Sequence, residues 1–489
     1  MRRQTGESEN RHVRKVPIAI VGGGFSGTAL AWHLRRKGVT ADIVLIEPRA
    51  DLGRGLAYAT PDPAHRINVP ATRMILDSDD SEHFHRWLID TGYLATDPQA
   101  RLSDGRLFPT RAIFGNYMAE QMRNLKPAIA HLRAKAVSVI STTEGFRIRC
   151  DNGDTLDAAT VALATCHAPP AVPSSLKSLQ SHPRFFSDPW SGNALPSLAP
   201  HDRVLIVGTG LTMADIVASL ERTGHRGEIV AISRRGLRPQ PHTDNVSVFE
   251  GDFTSPAIKQ AAALSRHVRK AVMDAARQGM PWQIVLNRVH EQGQPIWQNL
   301  SPTARRQFLR HLRPYWDTHR FRIAPQLHET IEKLIAYGML DIRAASVKTN
   351  HGALDIRASS VRASATAQQA ITVDLRARHC TEWKSESFDA VMLATGPAHA
   401  VAADPLLSSM NADGLLQADA LGLGIAVDRQ GHAIDHRNAP NPHLFVAGPL
   451  ARGTFGELMG ISDLSAYAEN IAGRIAASLS VAEDCRADA

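Results

Sequence analysis

Three glycines near the start of the chain have the spacing that lets a backbone turn hold a phosphate. Gly22, Gly24 and Gly27 form a GxGxxG sequence directly after an apolar run, and Glu47 follows Gly27 by 20 residues. In such a turn the first glycine allows the tight bend, the second lets a pyrophosphate approach the backbone, and the third lets the next helix pack closely. A carboxylate at the position of Glu47 accepts hydrogen bonds from ribose hydroxyls. Together these residues predict a dinucleotide site.

The surrounding sequence supplies the elements that would position these residues. Residues 16–21 are apolar and predict a buried strand, residues 28–37 predict a helix, and residues 41–46 predict a second strand that ends at Glu47. The N-terminus of the helix would direct its backbone N–H groups at the phosphates. A glycine-rich turn without a ligand is the alternative, and the strand, the helix and the acid at the expected distance disfavour it.

A second unit of the same kind occurs in mid-chain. Residues 204–207 predict a strand, Gly208 and Gly210 form the turn, and residues 211–220 predict a helix. Met213 occupies the third glycine position, so this helix is expected to lie slightly farther from its strand. The repeat predicts two dinucleotides, FAD in the first unit and a nicotinamide nucleotide in the second.

The second unit is basic where the first unit has Glu47. Ser233, Arg234 and Arg235 follow its second strand. Two guanidinium groups attract a 2′-phosphate that an acid would repel, so the sequence predicts NADPH rather than NADH. A solvated loop with ordinary surface charge is the alternative, and some use of NADH stays open.

Later elements are expected to complete the two domains. Apolar strands at 160–165 and 389–395 both end in Ala-Thr and mark where the chain is expected to cross between the domains. A strand ending at Gly448 is followed by a glycine-rich turn and a helix, and that helix is expected to place another N-terminus near the flavin.

These elements predict an α/β fold of two Rossmann-like dinucleotide-binding domains, the two-dinucleotide-binding flavoprotein fold, with a helical insertion. The expected divisions are a disordered basic tail (1–15), an FAD-binding domain in two parts (16–195 and 386–475), an NADPH-binding domain (196–385) with its helical insertion (255–340), and a second tail (476–489).

Apolar residues at three- and four-residue spacing predict helices in the insertion at 256–279, 282–291, 302–312 and 325–337, and the sequence between two of these helices is rich in Arg and His. One hypothesis places Arg313, Trp316, His319 and Arg320 in the cleft between the domains, around an anionic substrate or the nicotinamide nucleotide. The alternative, which the sequence alone favours, is a solvated basic face with Trp316 in a local core.

Composition excludes several classes of protein. The net charge is +7, but the basic residues are spread along the chain and mixed with acids, which argues against nucleic-acid binding. No apolar run approaches the length of a membrane span, and no signal peptide is recognisable. Cys150, Cys166, Cys380 and Cys485 form no CxxC pair, which disfavours disulfides, zinc and a disulfide reductase. No metal site is expected, and a reducing cytoplasm is the expected location.

The chain resembles the large bacterial family of FAD/NAD(P)-binding proteins and, more distantly, the class B flavoprotein monooxygenases, which include flavin-containing monooxygenases and ornithine and lysine N-hydroxylases. The resemblance covers roughly residues 16–475. It rests on both glycine motifs and on the segments DLGRGLAYAT, RINVPATRM, FFSDPWSG, SRRGL, VMLATGP and LFVAGPLARGTFGEL.

This resemblance implies FAD and NADPH as cofactors, with molecular oxygen and a small nucleophilic substrate, an amine being one candidate, as reaction partners. Oxygen would be transferred through a flavin C4a-hydroperoxide. Two alternatives stay open: a reductase or dehydrogenase that passes electrons from NADPH to another acceptor, and a non-enzymatic FAD-binding redox module.

Some positions can be compared with the family one at a time. Asn68 and Met74 match an Asn-to-Met spacing that implies an asparagine beside the reactive flavin edge, so Asn68 is the candidate catalytic residue. A turn or capping residue is the alternative for Asn68. The segment from Phe186 to Trp190 lacks the glycine and histidine of the Baeyer–Villiger fingerprint. Pro449 replaces an aspartate common in flavoproteins, so binding there would use backbone amides.

The predicted cofactor-binding residues lie at the glycine turns, at strand ends and in the segments that follow them. They are Gly22, Gly24, Phe25, Ser26, Gly27, Glu47, Asn68, Thr165, Gly208, Gly210, Leu211, Thr212, Ser233, Arg234, Arg235, Gly396, Gly448 and Thr454.

Overall fold

The computed structural model describes residues 13–165, 170–191, 194–244, 247–349, 370–396 and 401–487. Within these residues the strands form two sheets. The strands are β1 (Arg14–Val21), β2 (Ile43–Ile46), β3 (Ala130–Leu132), β4 (Ala136–Thr142), β5 (Gly145–Cys150), β6 (Thr155–Leu163), β7 (Phe185–Phe186), β8 (Val204–Val207), β9 (Ile229–Ser233), β10 (Leu340–Thr349), β11 (Ile371–Ala377), β12 (Lys384–Phe388), β13 (Ala390–Leu393), β14 (His432–Ile434) and β15 (Pro440–Val446).

Helices cover both sheets and form a separate group in the middle of the chain. They are α1 (Phe25–Arg36), α2 (His83–Asp90), α3 (Arg111–Asn124), α4 (Leu211–Arg222), α5 (Ala261–Arg277), α6 (Trp282–Glu291), α7 (Gly293–Asn299), α8 (Pro302–Gln307), α9 (Arg313–Arg320), α10 (Pro325–Ala336), α11 (Pro405–Ala412), α12 (Arg452–Phe455) and α13 (Ile461–Ala487).

The first sheet has the strand order β3-β2-β1-β6-β15-β14, and β4 and β5 form an antiparallel arm on β6. Strands β3, β2, β1, β6 and β15 are parallel, with Ile18 of β1 opposite Ile43 on one side and Thr160 on the other. Ile18 and Ile20 are fully buried. Helices on both faces of a parallel sheet explain why its central strands are continuously apolar.

The second sheet has the order β12-β11-β10-β9-β8-β13-β7. Strands β10, β9, β8, β13 and β7 are parallel, and β11 and β12 complete the sheet as an antiparallel arm. Two such sheets, each with a glycine turn after a central strand, confirm the predicted fold of two Rossmann-like units.

Both glycine turns pack against the same kind of neighbour. β6 lies beside β1, and β13 lies beside β8. A Cβ atom on Gly22 would overlap the carbonyl oxygen of Ala164, and one on Gly208 would overlap that of Ala394. The φ angles of these glycines are +109° and +125°, in the region that side chains disfavour. The repeated Ala-Thr strands therefore require glycine at both turns.

Helices α5, α6, α7 and α8 of the insertion pack around their own apolar cluster, which includes Ile284, Val285 and Trp297. Helix α10 does not join this cluster, because its Leu327 and Ile331 are buried in the core of the second sheet. Helix α6 occupies the predicted span 282–291, and α10 matches most of 325–337. The helix predicted at 302–312 is divided into α8 and a π-helical turn at Phe308–Leu312.

Several predicted boundaries are wrong. Strands β7 and β13 were assigned to the FAD-binding domain by the boundaries at 195 and 386, but both pair in the second sheet. The predicted tail 476–489 is helical as far as Ala487, where α13 ends. Ala476 and Leu479 pack against the first core and continue the helical apolar face. Arg14 and Lys15 extend β1, and residues 1–12 lie outside the described part.

Candidate functional site

The first glycine turn leaves open backbone at the N-terminus of α1. A Cβ atom on Gly24 would be 3.5 Å from Cα of Gly55, which is ordinary van der Waals contact. A Cβ atom on Gly27 would overlap the carbonyl oxygen of Gly22. Gly27 therefore serves the packing of helix against turn, while Gly24 keeps the backbone N–H groups accessible to a phosphate.

Glu47 lies beside this turn, directly after β2. Its side chain is buried, and Oε2 accepts a hydrogen bond from the backbone N–H of Gly23 at 2.9 Å. Oε1 accepts hydrogen bonds from the backbone and the guanidinium of Arg49, at 3.1 and 3.0 Å. These contacts hold the carboxylate against the glycine turn, where a ribose hydroxyl would share its remaining lone pairs.

Three segments of the first domain converge at this turn. The hydroxyl of Thr165, after β6, is buried and has no hydrogen-bond partner among the described residues. A Cβ atom on Gly448 would lie 3.2 Å from Oγ of Ser26, so the C-terminal turn reaches the start of α1. An unpartnered hydroxyl beside open glycine backbone fits a bound FAD, because a ligand with phosphate and hydroxyl groups would supply the missing partners.

The side chains of two predicted FAD-binding residues make contacts within the protein. The ring of Phe25 is buried 6.0 Å from the ring of Phe114. The hydroxyl of Thr454 donates a hydrogen bond to the carbonyl of Val427 at 2.8 Å. For Phe25 and Thr454, the groups that remain predicted to contact FAD are therefore the backbone N–H groups. Gly396 has a φ of +77°, and a Cβ atom there would meet nothing within 4 Å.

Asn68 lies at a contact between the two domains. Its backbone carbonyl accepts a hydrogen bond from Nε2 of His242 at 2.8 Å. Burial lowers the pKa of His242 to about 4, so its ring is neutral at pH 7 and carries the proton on Nε2. The half-buried side chain of Asn68 makes no hydrogen bond within the described ranges. The catalytic role of Asn68 stays a prediction.

The second glycine turn repeats the open geometry. A Cβ atom on Gly210 would meet nothing within 4 Å, and Leu211 and Thr212 begin α4 as half-buried residues. The hydroxyl of Ser233 is hydrogen-bonded to that of Thr209 at 2.8 Å and accepts from the N–H of Gly236 at 3.0 Å. Ser233 therefore stabilises the turn after β9 through these two hydrogen bonds.

The two arginines that follow differ in their surroundings. Arg234 is exposed and makes no hydrogen bond or ion pair with any residue that the structure describes. The guanidinium of Arg235 lies 5.4 Å from the ring centre of Tyr315, on α9 of the insertion. This cation–π contact orients Arg235. Arg234 is therefore the more available donor for a 2′-phosphate.

Replacing Arg234 by serine is expected to raise the KM for NADPH roughly tenfold, because one charge-assisted contact to the 2′-phosphate is lost. The KM for NADH should hardly change, since that nucleotide has no 2′-phosphate. Steady-state rates with both nucleotides measure the ratio. An equal change in both KM values would contradict the assignment.

A buried polar contact that the sequence analysis did not identify joins the domains. Arg111, on α3, donates two hydrogen bonds to the carboxylate of Asp215, on α4: from Nη1 to Oδ2 at 2.7 Å and from Nη2 to Oδ1 at 3.0 Å. One turn farther along α4, Oγ of Ser219 hydrogen-bonds to His65 at 3.0 Å and to Asp62 at 2.7 Å. Two polar residues four positions apart in the otherwise apolar stretch 213–220 of α4 were the available signal.

A cavity of about 700 Å³ lies between the helices of the insertion and the segment after β15. Arg313, Trp316 and His319 line this cavity, whereas Arg320 contacts His290 at 2.6 Å. Three of the four residues of this hypothesis therefore line a cavity, and their role in binding stays a prediction. The cavity itself was beyond sequence analysis because its walls come from distant segments.

Two acidic residues face the same cavity. Glu457 accepts a hydrogen bond from Nε1 of Trp316 at 2.7 Å, and Asp317 accepts one from Nε of Arg313 at 3.2 Å. Burial raises the pKa of Asp317 to about 6. The cavity thus combines apolar walls with charged groups of both signs.

Within the described residues, no helix is both long and apolar enough to cross a membrane. No group of three or more His, Cys, Asp or Glu side chains in this part of the chain is placed to hold a metal ion. Cys150 is buried and Cys380 is exposed, and both are free thiols. Cys166 lies outside the described residues.

The fold and the two glycine turns define a flavoprotein with sites for two dinucleotides. Residues 19–168 match a family model described as FAD-NAD(P)-binding. Residues 100–292 match the model of L-lysine 6-monooxygenase/L-ornithine 5-monooxygenase. These matches confirm the predicted FAD and NAD(P)H cofactors and the predicted relation to the flavoprotein monooxygenases. A comparison with curated proteins gives no match.

Solved structures share this fold over nearly the whole chain. The ornithine N-hydroxylase of Kutzneria sp. 744 is 16% identical, with 94% of this chain and 99% of that chain covered and a TM-score of 0.64. The L-lysine 6-monooxygenase of Pseudomonas syringae is 19% identical, with 96% and 99% covered and a TM-score of 0.62. The bacillithiol disulfide reductase of Bacillus cereus is 15% identical, with 95% and 100% covered and a TM-score of 0.54.

Proposed function

We propose that this protein is an NADPH-dependent flavin monooxygenase that hydroxylates the nitrogen of an amine. In the balanced reaction, a primary amine, molecular oxygen, NADPH and a proton give a hydroxylamine, water and NADP⁺. The observation that supports this proposal most directly is the family match at residues 100–292. The same chain has two glycine turns with open backbone. Bound FAD supplies the redox chemistry with oxygen, and the protein supplies binding and orientation.

Residues of both domains support this assignment. The backbone at Gly24 and the carboxylate of Glu47 would hold the FAD. The N-terminus of α4 at Gly210 and the exposed guanidinium of Arg234 would hold the NADPH. The contact between His242 and the Asn68 carbonyl ties the FAD loop to the NADPH domain at 2.8 Å. The side chain of Asn68 is proposed to donate a hydrogen bond at the reactive edge of the flavin.

We also propose that the protein works in a reducing compartment, the cytoplasm, where NADPH is supplied. The free thiols of Cys150 and Cys380 agree with this location.

The test is to supply the FAD-loaded protein with NADPH and isotopically labelled oxygen, together with a panel of primary amines. We expect NADPH oxidation to accelerate with an accepted amine and the hydroxylamine product to contain one labelled oxygen atom. Release of one hydrogen peroxide per NADPH with every amine would overturn N-hydroxylation and favour an oxidase or reductase.

Replacing Asn68 by alanine is expected to lower the yield of hydroxylamine per NADPH about tenfold, because the loss of a hydrogen bond to a charged group is typically of that size. The FAD content and the melting temperature should stay unchanged, because the Asn68 contact with His242 uses the backbone. Peroxide and product are measured in the same assay. An unchanged yield would show that Asn68 is only a loop residue.

A further inference from the structure

The cavity in the insertion has a size and a lining that a small polar amine does not require. Its volume is about 700 Å³, within the range of sites for drug-sized ligands. Large apolar side chains form most of its walls, including Trp282, Trp297, Phe308, Leu264, Val268 and Leu312. Met273, Tyr315 and Met459 line the cavity and are exposed, so an apolar entrance connects it to solvent.

A buried cation lies at the wall formed by the FAD-binding domain. Arg452 begins α12, lines the cavity and is only 4% exposed. Its Nε and Nη2 atoms have no hydrogen-bond partner in the described part of the chain, and Nη1 contacts Sδ of Met459 at 3.3 Å. Burial lowers the pKa of Arg452 to about 10, so the guanidinium remains charged at neutral pH. A buried guanidinium with two unused donors favours an anionic ligand.

The charged groups nearest to Arg452 already have partners, and Arg269, which also lines the cavity, is exposed to solvent. Arg313 pairs with Asp317, and Glu457 accepts from Trp316. Arg313, Asp317, Asp419 and Glu457 are the charged groups that act on Arg452. The carboxylates of Asp317 and Glu457 give this wall an acidic side that would attract an ammonium group. The cavity therefore offers a buried guanidinium for an anion, acceptors for a cation, and an apolar volume beside them.

We propose that the substrate is an amino acid with a large apolar side chain. Its carboxylate would bind Arg452, its ammonium group would face Asp317 and Glu457, and its side chain would fill the space between the tryptophans. The statement that the amine is the group oxidised rests on the proposed function. The binding mode rests on the cavity alone. Burying a phenyl or indole ring contributes binding energy that a short polar side chain lacks.

The test is calorimetric binding to the FAD-loaded protein without NADPH. The probes are L-phenylalanine, 2-phenylethylamine, which lacks the carboxylate, and L-ornithine, which lacks the apolar side chain. We expect L-phenylalanine to bind at least tenfold more tightly than either analogue, because each analogue loses one group that the cavity recognises. Equal affinity for the three probes, or no binding of L-phenylalanine, would overturn the proposal.

Two variants test the carboxylate contact and the apolar cavity separately. Arg452→Met should reduce the affinity ratio between L-phenylalanine and 2-phenylethylamine to about one, since only the carboxylate distinguishes them. Val268→Trp should weaken L-phenylalanine binding at least tenfold by filling the cavity. Arg266→Trp is the matched control, because Arg266 is exposed on the same helix and does not line the cavity.

An affinity ratio that Arg452→Met leaves unchanged would overturn the carboxylate contact, and equal binding by the two tryptophan variants would overturn the cavity as the site. If Arg452→Met does not retain FAD, the tryptophan pair still decides the question. These results are independent of the reaction, because binding needs neither NADPH nor oxygen. Tight L-phenylalanine binding without hydroxylamine formation would overturn only the proposed function, and hydroxylation of ornithine without L-phenylalanine binding would overturn only this inference.

Discussion

Replacing Gly24 by alanine is expected to leave a folded protein that has lost most of its FAD. The new methyl group would lie 3.5 Å from Cα of Gly55, so the protein itself accommodates it. The same methyl group would occupy the surface on which the pyrophosphate is expected to lie. Overpacking of one methyl group typically costs about 1–3 kcal/mol, which corresponds to FAD affinity that is lower by roughly tenfold or more.

The measurement for Gly24→Ala is the ratio of flavin absorbance to protein absorbance after dialysis, together with far-ultraviolet circular dichroism. Gly27→Ala is the comparison, because its methyl group would overlap the carbonyl oxygen of Gly22. That variant should lose secondary structure or solubility as well as FAD. A Gly24→Ala protein with full FAD content would show that the cofactor does not approach this backbone.

Replacing Asp215 by alanine is expected to destabilise the protein by about 3–5 kcal/mol, the usual cost of leaving one member of a buried ion pair without its partner. The side chain of Asp215 is 4% exposed and that of Arg111 is 19% exposed. The bidentate contact between them joins the two domains, so its loss should also weaken the attachment of the NADPH domain to the FAD domain, which keeps the contacts of Ser219 and His242. Urea unfolding followed by flavin release and by circular dichroism measures both effects.

The double variant Arg111→Met, Asp215→Leu should regain much of the lost stability, because apolar residues of similar volume leave no unpaired charge. The exposed pair of Lys15 and Glu144 provides a control, with side chains that are 71% and 74% exposed. Glu144→Ala should have no measurable effect on unfolding. If Asp215→Ala behaves like Glu144→Ala, the contact between the domains does not depend on this pair.

The elements around the glycine turns could be predicted because their signals are local. An apolar strand, a glycine turn and a helix are contiguous in sequence, and the two turns differ from each other at Glu47 and at Arg234 within a few dozen residues. The helix at 282–291 was also predicted from local periodicity, and the structure has α6 over the same residues. These features depend on period and spacing alone.

Features that depend on distant partners were missed. Neither Arg111 nor Asp215 signals in its local sequence that the other is its partner. Only the folded chain shows that Arg235 contacts Tyr315. Only the folded chain shows that Nε and Nη2 of Arg452 lack a hydrogen-bond partner among the described residues. The extent of α13 was underestimated because Ala476 and Leu479 become helical by packing on the first domain. Tertiary packing decided these positions, not residue propensity.

Helix α4 combines two tasks that are usually considered separately. Its first turn follows Gly210, where the nucleotide phosphates are expected to bind, and its later turns carry Asp215 and Ser219, which contact the FAD domain. A helix of this length is a rigid body on the scale of an ångström. This helix would therefore fix the distance between the two predicted nucleotide sites. The contacts of Asp215 and Ser219 would then keep the two nucleotide sites at a constant distance from each other.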